Sequence, residues 1–428
     1  MRRTLLLPLV VAACSQAPAT TTAPPAPAPM SVAFAPAPAT APTASRGADP
    51  MDDERDFAVP SERFTDAQRN FDQARKTLLE QYYDPSFTED DLYRAATAGM
   101  LERVDPKMHK WNKLVSPSES AELKNDLHGE MVGVGIIVDF DAATGYIDVK
   151  RTIPGTPADR AGVAPPDQIV TVNGKLYRGL SLRDAVADIR GKIGESVTLS
   201  ILRGDKLVSV PIVREQVAYD DVSHMLLPGA VGYLQIPSFN ARTSNGIRDA
   251  LKDLEEKGAH ALVVDLRMSP GGFFDEAVAS LGPMVPVGSV VTTLHKRSTT
   301  EPFTSKTPPV FTDGPVAVLV NGRTASSAEL AAAALHDLRH AMVVGSRTMG
   351  KWTVQMLDDL PNGYAVKYTI ALFESPSGKS YEGVGLTPDV QVDEADDAVE
   401  RAQLEMDPAK RLAIDGQLRT AVSVLGSH

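Results

Sequence analysis

Five consecutive apolar residues, Val316-Ala317-Val318-Leu319-Val320, run straight into Asn321-Gly322 and then into an alanine-rich stretch, Ser326–Leu338. A strand with no polar side must be covered on both faces, as happens in parallel sheets packed between helices. Gly232–Ile236 and Ala261–Leu266 have the same character, and Asn245–Lys257 between them is amphipathic at helical spacing. Strand, helix, strand in that order argues for an α/β core over about residues 216–395. Within it, Pro361-Asn362-Gly363 reads as a hairpin turn, with Ala365–Phe373 as the returning strand. Residues 396–428 read as a C-terminal helical segment.

Two further regions precede this core. Over residues 60–128, Phe71, Ala74, Leu78 and Tyr82 recur at helical spacing, and a second such run starts at Asp91-Leu92-Tyr93 and passes through Met100 and Val104. The expectation is a small helical domain. Residues 129–215 read differently. Gly133-Val134-Gly135-Ile136-Ile137-Val138 is followed by a strand-like Tyr146–Val149, then Pro157-Ala158-Asp159-Arg160-Ala161-Gly162-Val163 and Asp167-Gln168-Ile169-Val170-Thr171-Val172-Asn173-Gly174. A helix-like stretch near Leu182–Ile189 and strands at Val197–Leu202 and Val208–Val213 complete it.

The N-terminus carries an address rather than a fold. Arg2 and Arg3 precede a largely apolar run, Leu5–Ala13, too short to span a bilayer, so residues 1–13 read as an export signal. Val11-Ala12-Ala13-Cys14 resembles a bacterial lipobox, in which the cysteine becomes the lipidated first residue; an ordinary signal with an incidental cysteine is the other reading. Residues 14–59 are mostly Ala, Pro and Thr, too poor in large apolar groups to offset ordering entropy. At about 3.1 Å per residue such a stalk reaches up to roughly 100 Å. The resemblance implies a bacterial-envelope lipoprotein facing the periplasm, and Ser15 after the cysteine favours the outer membrane over the inner.

Composition then excludes several classes. The net charge of -12 argues against nucleic acid, because phosphate binding needs clustered Lys and Arg. Cys14 is the one cysteine, so neither a disulfide nor a cysteine-rich metal site is open to the chain. His336 and His340 lie four apart, but no nearby carboxylate has a ligand spacing. No metal or cofactor is expected.

Three stretches carry the chemistry. In Asn321-Gly322-Arg323-Thr324-Ala325-Ser326-Ser327-Ala328-Glu329, a serine stands at the start of a helix, where free N–H groups favour developing negative charge. Taken alone, it reads as an N-cap serine before it reads as a nucleophile. In Gly350-Lys351-Trp352-Thr353-Val354-Gln355, a lysine follows glycine at the start of an apolar strand, and Gln355, four residues on, shares its face. A lysine used as a base must be neutral, so its pKa must fall from about 10.4 towards about 7. A neutral amide partner fits that need. In Asp265-Leu266-Arg267-Met268-Ser269-Pro270-Gly271-Gly272, a strand ends in two glycines whose N–H groups can approach a ligand closely.

Together these stretches resemble the carboxyl-terminal processing peptidases (tail-specific proteases), serine proteases with a Ser/Lys dyad and an inserted PDZ domain. The resemblance spans about residues 60–395 and includes Gly383-Val384-Gly385-Leu386-Thr387-Pro388-Asp389-Val390. It implies an α/β (α+β) core of the crotonase/Clp-protease type, an inserted PDZ domain and a small N-terminal helical domain. It implies Ser326 as nucleophile, Lys351 as general base and Gln355 as its orienter. The oxyanion hole would come from N–H groups of Gly271 or Gly272 and of Ser327. Val134, Gly135 and Ile136 match the PDZ loop that receives a peptide's terminal carboxylate, the peptide adding as a strand; a glycine that merely permits a tight turn is the other reading. Expected partners are proteins with flexible C-termini, with an adaptor or homo-oligomer open. Trp352 stands where the family usually has glycine, and either shields the base or narrows the cleft. Ser327 is an adjacent hydroxyl. A catalytically inactive, lipid-anchored PDZ scaffold and an acyl-CoA enzyme on the related core are the competing readings; the retained serine and lysine oppose the first, and the export signal the second.

Overall fold

The computed structural model describes residues 10–12, 65–84, 86–104, 111–140, 144–177, 182–218 and 222–426. The expected lipidation site Cys14 and stalk lie outside the described residues. The elements run β1 (Val10–Ala12), α1 (Ala67–Gln81), α2 (Glu89–Val104), β2 (Lys113–Val115), α3 (Pro117–His128), β3 (Glu130–Gly133), β4 (Ile136–Phe140), β5 (Ile147–Thr152), α4 (Pro157–Arg160), β6 (Gln168–Val172), β7 (Lys175–Leu176), α5 (Leu182–Ile189), β8 (Ser196–Arg203), β9 (Lys206–Val213) and β10 (Glu215–Ala218). They continue with β11 (Ser223–Leu227), β12 (Val231–Gln235), α6 (Thr243–Glu256), β13 (Ala261–Asp265), β14 (Gly272–Phe273), α7 (Phe274–Leu281), β15 (Val290–Lys296), β16 (Thr300–Thr304), β17 (Val316–Val320), α8 (Ser327–Arg339), β18 (Met342–Gly345), β19 (Thr353–Asp359), β20 (Ala365–Glu374), β21 (Val390–Gln391), α9 (Asp396–Leu404), α10 (Pro408–Ile414) and α11 (Gly416–Leu425).

The described residues between 65 and 104 belong to one compact unit and the other described residues to another. In the smaller unit α1 and α2 form where the periodicity predicts them, but neither has a buried residue. Phe71, Leu78 and Tyr82 remain exposed, because two short helices present too little surface to cover each other. The expected helical run to residue 128 is interrupted. Lys113–Val115 is a strand paired with β20, and β2 and α3 belong to the larger unit. The signal missed was pairing with a strand some 250 residues away, which local spacing does not carry.

In the larger unit β12, β13, β17, β18 and β21 are parallel and β11 closes one edge antiparallel. One face packs Leu234, Val264, Val318 and Val320 against Leu251 and Leu254 of α6 and Ala331 and Leu335 of α8. The other packs Tyr233, Val263 and Leu319 against Leu418, Ala421 and Leu425 of α11. This double cover is why the strands contain no polar alternation. A second sheet holds β19, β20, β15 and β16, with β19–β20 the hairpin the turn residues predict. A third, β4-β5-β6-β8-β9 with β7 beside β6, encloses its own core of Ile147, Val149, Ile169, Leu199 and Ile201. Strands β3 and β10 pair antiparallel where the chain enters and leaves that third sheet.

Candidate active site

Strand β17 delivers the chain to a turn built to present Ser326. Asn321 N–H donates to Thr324 Oγ1 (2.9 Å), Thr324 Oγ1 donates to the Leu266 carbonyl (2.9 Å), and Ala325 N–H donates to the Ser269 carbonyl (3.0 Å). The turn is thereby bonded to the loop after β13. Ser326 sits at φ 55°, ψ -122°, immediately before α8, and is fully buried. A non-glycine residue held there costs on the order of 1–3 kcal/mol, and such strain persists only where surrounding bonds over-determine it. The residue caps the N-terminal end of α8, whose dipole favours developing negative charge there.

Gly271 lies against this turn. At φ +96°, an added Cβ would stand 2.8 Å from the Ala325 oxygen, 2.9 Å from Ser327 N and 3.0 Å from Ser326 Cβ. Gly272 is equally confined, since its Cβ would meet the Phe239 oxygen at 2.2 Å. These two positions require glycine, and the requirement brings a bare backbone to Ser326. Ser327 Oγ donates to the Gly272 carbonyl (3.1 Å), so the neighbouring hydroxyl is engaged in holding the start of α8 to β14.

The loop carrying Lys351 is fixed to the same turn by one carboxylate. Glu329 Oε2 accepts from Ser326 N–H (3.0 Å) and from Lys351 N–H (2.8 Å). Its Oε1 accepts from Gly350 N–H (2.8 Å) and from Thr348 Oγ1. Burial pushes the Glu329 carboxyl above its ordinary value, while these four bonds pull the other way. All four partners are donors, which suits the ionised form. Glu329 is the residue that local reading missed. A glutamate three residues after a serine at a helix start reads as a capping pair, and its bonds to residues 348–351 cross a sequence gap that no motif spacing reveals.

Lys351 is completely buried, which removes the water that would solvate an ammonium group. Its Nζ lies 5.1 Å from the centroid of the Trp111 ring. Trp352, which the sequence left as either shield or obstruction, is fully buried. It turns into the core against Phe373 (4.7 Å between centroids) and Tyr381 (4.9 Å). Gln355 departs from expectation. Its Nε2 donates to Thr353 Oγ1 (2.6 Å), and its buried Oε1 has no hydrogen-bond partner. Lys351 precedes β19 and a register shift falls between Val354 and Gln355, so the simple i, i+4 relation fails.

Beneath the Gly271 loop lies a fully buried ion cluster. Arg267 donates to Asp265 (2.7 and 2.9 Å) and to Asp415 at the start of α11 (2.7 and 2.9 Å). Tyr233 Oη donates to Asp265 (2.6 Å). Burial works against the ionised Asp265, but the guanidinium and these bonds hold it below the usual carboxylate range.

Between β14 and β19 there is room for one extended segment. Residues 10–12 occupy it, Val11 opposite both Phe273 and Gln355 and Ala12 opposite Gly272, antiparallel to each edge. Elsewhere, the expected carboxylate-receiving loop, Val134, Gly135 and Ile136, joins β3 to β4. Gly135 has φ +82°, and a Cβ there would strike Thr156 at 2.3 Å. The Val134 and Gly135 carbonyls face inward to Ala158 and Ile153 N–H groups.

The model of peptidase family S41 matches residues 230–392 and that of the PDZ domain matches residues 123–202. A carboxy-terminal-processing protease from Bartonella bacilliformis is 33% identical over 313 residues, spanning 72% of this chain and 70% of the relative. A carboxyl-terminal-processing protease from Picosynechococcus is 31% identical over 356 residues, spanning 77% and 85%. A solved S41 protease from Bacteroides fragilis shares the fold, with TM-score 0.53, 18% identity and coverage of 77% and 90%. The chain is therefore a serine-type peptidase of the carboxyl-terminal processing family, family S41, with a PDZ domain.

Proposed function

We propose that the chain cleaves proteins presented by their C-terminal tails, through an acyl-enzyme formed on Ser326 with Lys351 as general base. The observation that carries this reading is the joint anchoring of both residues on Glu329, directly against Gly271. Ser326 Oγ attacks the scissile carbonyl carbon while neutral Lys351 Nζ takes its proton. The resulting oxyanion is met by N–H groups of Gly271 or Gly272 and of Ser327. The intermediate collapses, the C–N bond breaks, and the Lys351 ammonium returns the proton to the departing amine. Water then attacks the Ser326 ester and gives a proton to Lys351, and as the ester bond breaks the ammonium returns that proton to Ser326 Oγ, freeing the carboxyl product and restoring the enzyme. Gln355 holds Thr353 at the start of β19, through its Nε2 to Thr353 Oγ1 (2.6 Å).

Support for a peptide substrate comes from the slot between β14 and β19, which takes an extended segment with bonds on both sides. Val134, Gly135 and Ile136 would receive the tail's terminal carboxylate, feeding the chain to that slot. The test is a susceptible unfolded protein with its C-terminus free or amidated. Faster cleavage of the free form by about tenfold or more is expected, because amidation removes the charge that backbone N–H groups bind. Equal rates would contradict tail recognition, and absence of cleavage with binding intact would make the chain a scaffold.

The same reading places the enzyme on the periplasmic side of a bacterial envelope membrane, tethered through lipid on Cys14. Acyl chains contribute about 0.8 kcal/mol per buried methylene, enough for stable anchoring when more than one is attached. Wild-type protein is expected in the membrane fraction and Cys14→Ala in the soluble fraction. Equal membrane retention of both would remove the lipid anchor.

A further inference from the structure

Trp111 lies outside both regions matched by the family models, at the edge of a segment that sequence alone leaves without a function. Its position is firmly set. Asn112 Oδ1 accepts the Thr369 N–H of β20 (2.8 Å), and β2 pairs with β20 in the register Lys113↔Lys367, Leu114↔Val366 and Val115↔Ala365. Strand β20 is the hairpin partner of β19, which begins two residues after Lys351. The segment before β2 is thus bolted to the sheet that carries the base. Trp111 is 2% exposed and Lys351 fully buried, with Nζ 5.1 Å from the indole centroid.

We propose that Trp111 is a catalytic residue of the Ser326–Lys351 reaction proposed above, acting on the charge state of the base. Neutral Lys351 makes only an ordinary contact with the ring. Once Nζ has taken the Ser326 proton it is an ammonium, attracted by the negative face of the indole, and most strongly where water is absent. The attraction therefore grows between the ground state and the tetrahedral intermediate, which is the condition for raising kcat rather than lowering KM. The ring also covers Nζ from solvent, so the proton stays with the base until the leaving amine takes it.

The experiment compares Trp111→Phe and Trp111→Leu with wild type in the full chain, measuring kcat and KM on one unfolded protein substrate and the unfolding temperature of each variant. Leucine fills space without a π face, and phenylalanine keeps a weaker one. The expected result is a kcat lowered by about 3- to 30-fold in Trp111→Leu, with Trp111→Phe between it and wild type and KM within about twofold. Equal losses in the two variants, or a loss confined to KM, would show a packing or substrate contact instead and overturn the proposal. Lys351→Met run alongside separates the two levels. If it still cleaves, the Ser/Lys reading falls and this inference with it. If it is inactive while Trp111→Leu matches wild type, only the role of Trp111 falls.

Discussion

On the proposed Ser326–Lys351 chemistry, Lys351→Met is expected to lower kcat by about 10³-fold or more while the protein keeps its unfolding temperature. The magnitude follows from what is removed. Without a base, Ser326 Oγ must shed its proton unaided, whereas the oxyanion N–H groups and substrate binding survive and leave a residual rate above that of water. Methionine keeps an unbranched apolar stem in a site that is already fully buried, so the change deletes the amine without opening the core. Stability and rate therefore separate. A variant that lost both would point instead to Lys351 as a structural residue of the loop anchored by Glu329.

Arg267→Met produces the opposite pattern, a large loss of stability. It leaves Asp265 and Asp415, both completely buried, as neighbouring carboxylates without their shared cation. Removing one partner of a buried ion cluster costs about 3–5 kcal/mol, a large part of the 5–15 kcal/mol that holds a typical domain folded. At about 2–4 °C per kcal/mol for a unit of this size, the unfolding temperature falls by roughly 10 °C. Adding Asp265→Asn and Asp415→Asn to the same chain should recover much of that loss, since the cost lies in uncompensated charge rather than in the missing attraction. The Lys124–Asp359 pair makes the contrast. It is as close, at 2.6 Å, but exposed, and its removal should cost less than about 1 kcal/mol. Thermal unfolding of the single, triple and surface variants reads all three. A triple variant no better than Arg267→Met would mean that packing, not charge, sets the cost.

The two predictions also mark which parts of the site a sequence can show. Ser326 and Lys351 each stand at a junction written in adjacent residues, an apolar strand, a glycine and the start of the next element. The α/β core was legible for the same reason, since Val316–Val320 and Ala261–Asp265 declare double burial by composition alone. What joins these junctions was not legible. Glu329 reads as a helix cap until its second oxygen is found on Gly350 and Thr348. Trp111 reaches Lys351 only through the pairing of β2 with β20, and Asp415 reaches Arg267 only because α11 packs on the sheet's far face. Gln355 was over-read: a period-two face holds along a regular strand, but here a register shift and an early strand start intervene. The helices at 67–81 and 89–104 were found by periodicity, yet periodicity says nothing about whether the stripe is covered.

The proposed mechanism requires Ser326, not its neighbour, to be the nucleophile. Ser327 Oγ is committed to the Gly272 carbonyl, while Ser326 holds the strained position at the helix start. The most direct measurement is the rate of cleavage of one unfolded, C-terminally tailed protein by Ser326→Ala and by Ser327→Ala. Ser326→Ala is expected to lose cleavage by about 10³-fold or more, while Ser327→Ala stays within about tenfold of wild type. Cleavage persisting in Ser326→Ala and abolished in Ser327→Ala would contradict it.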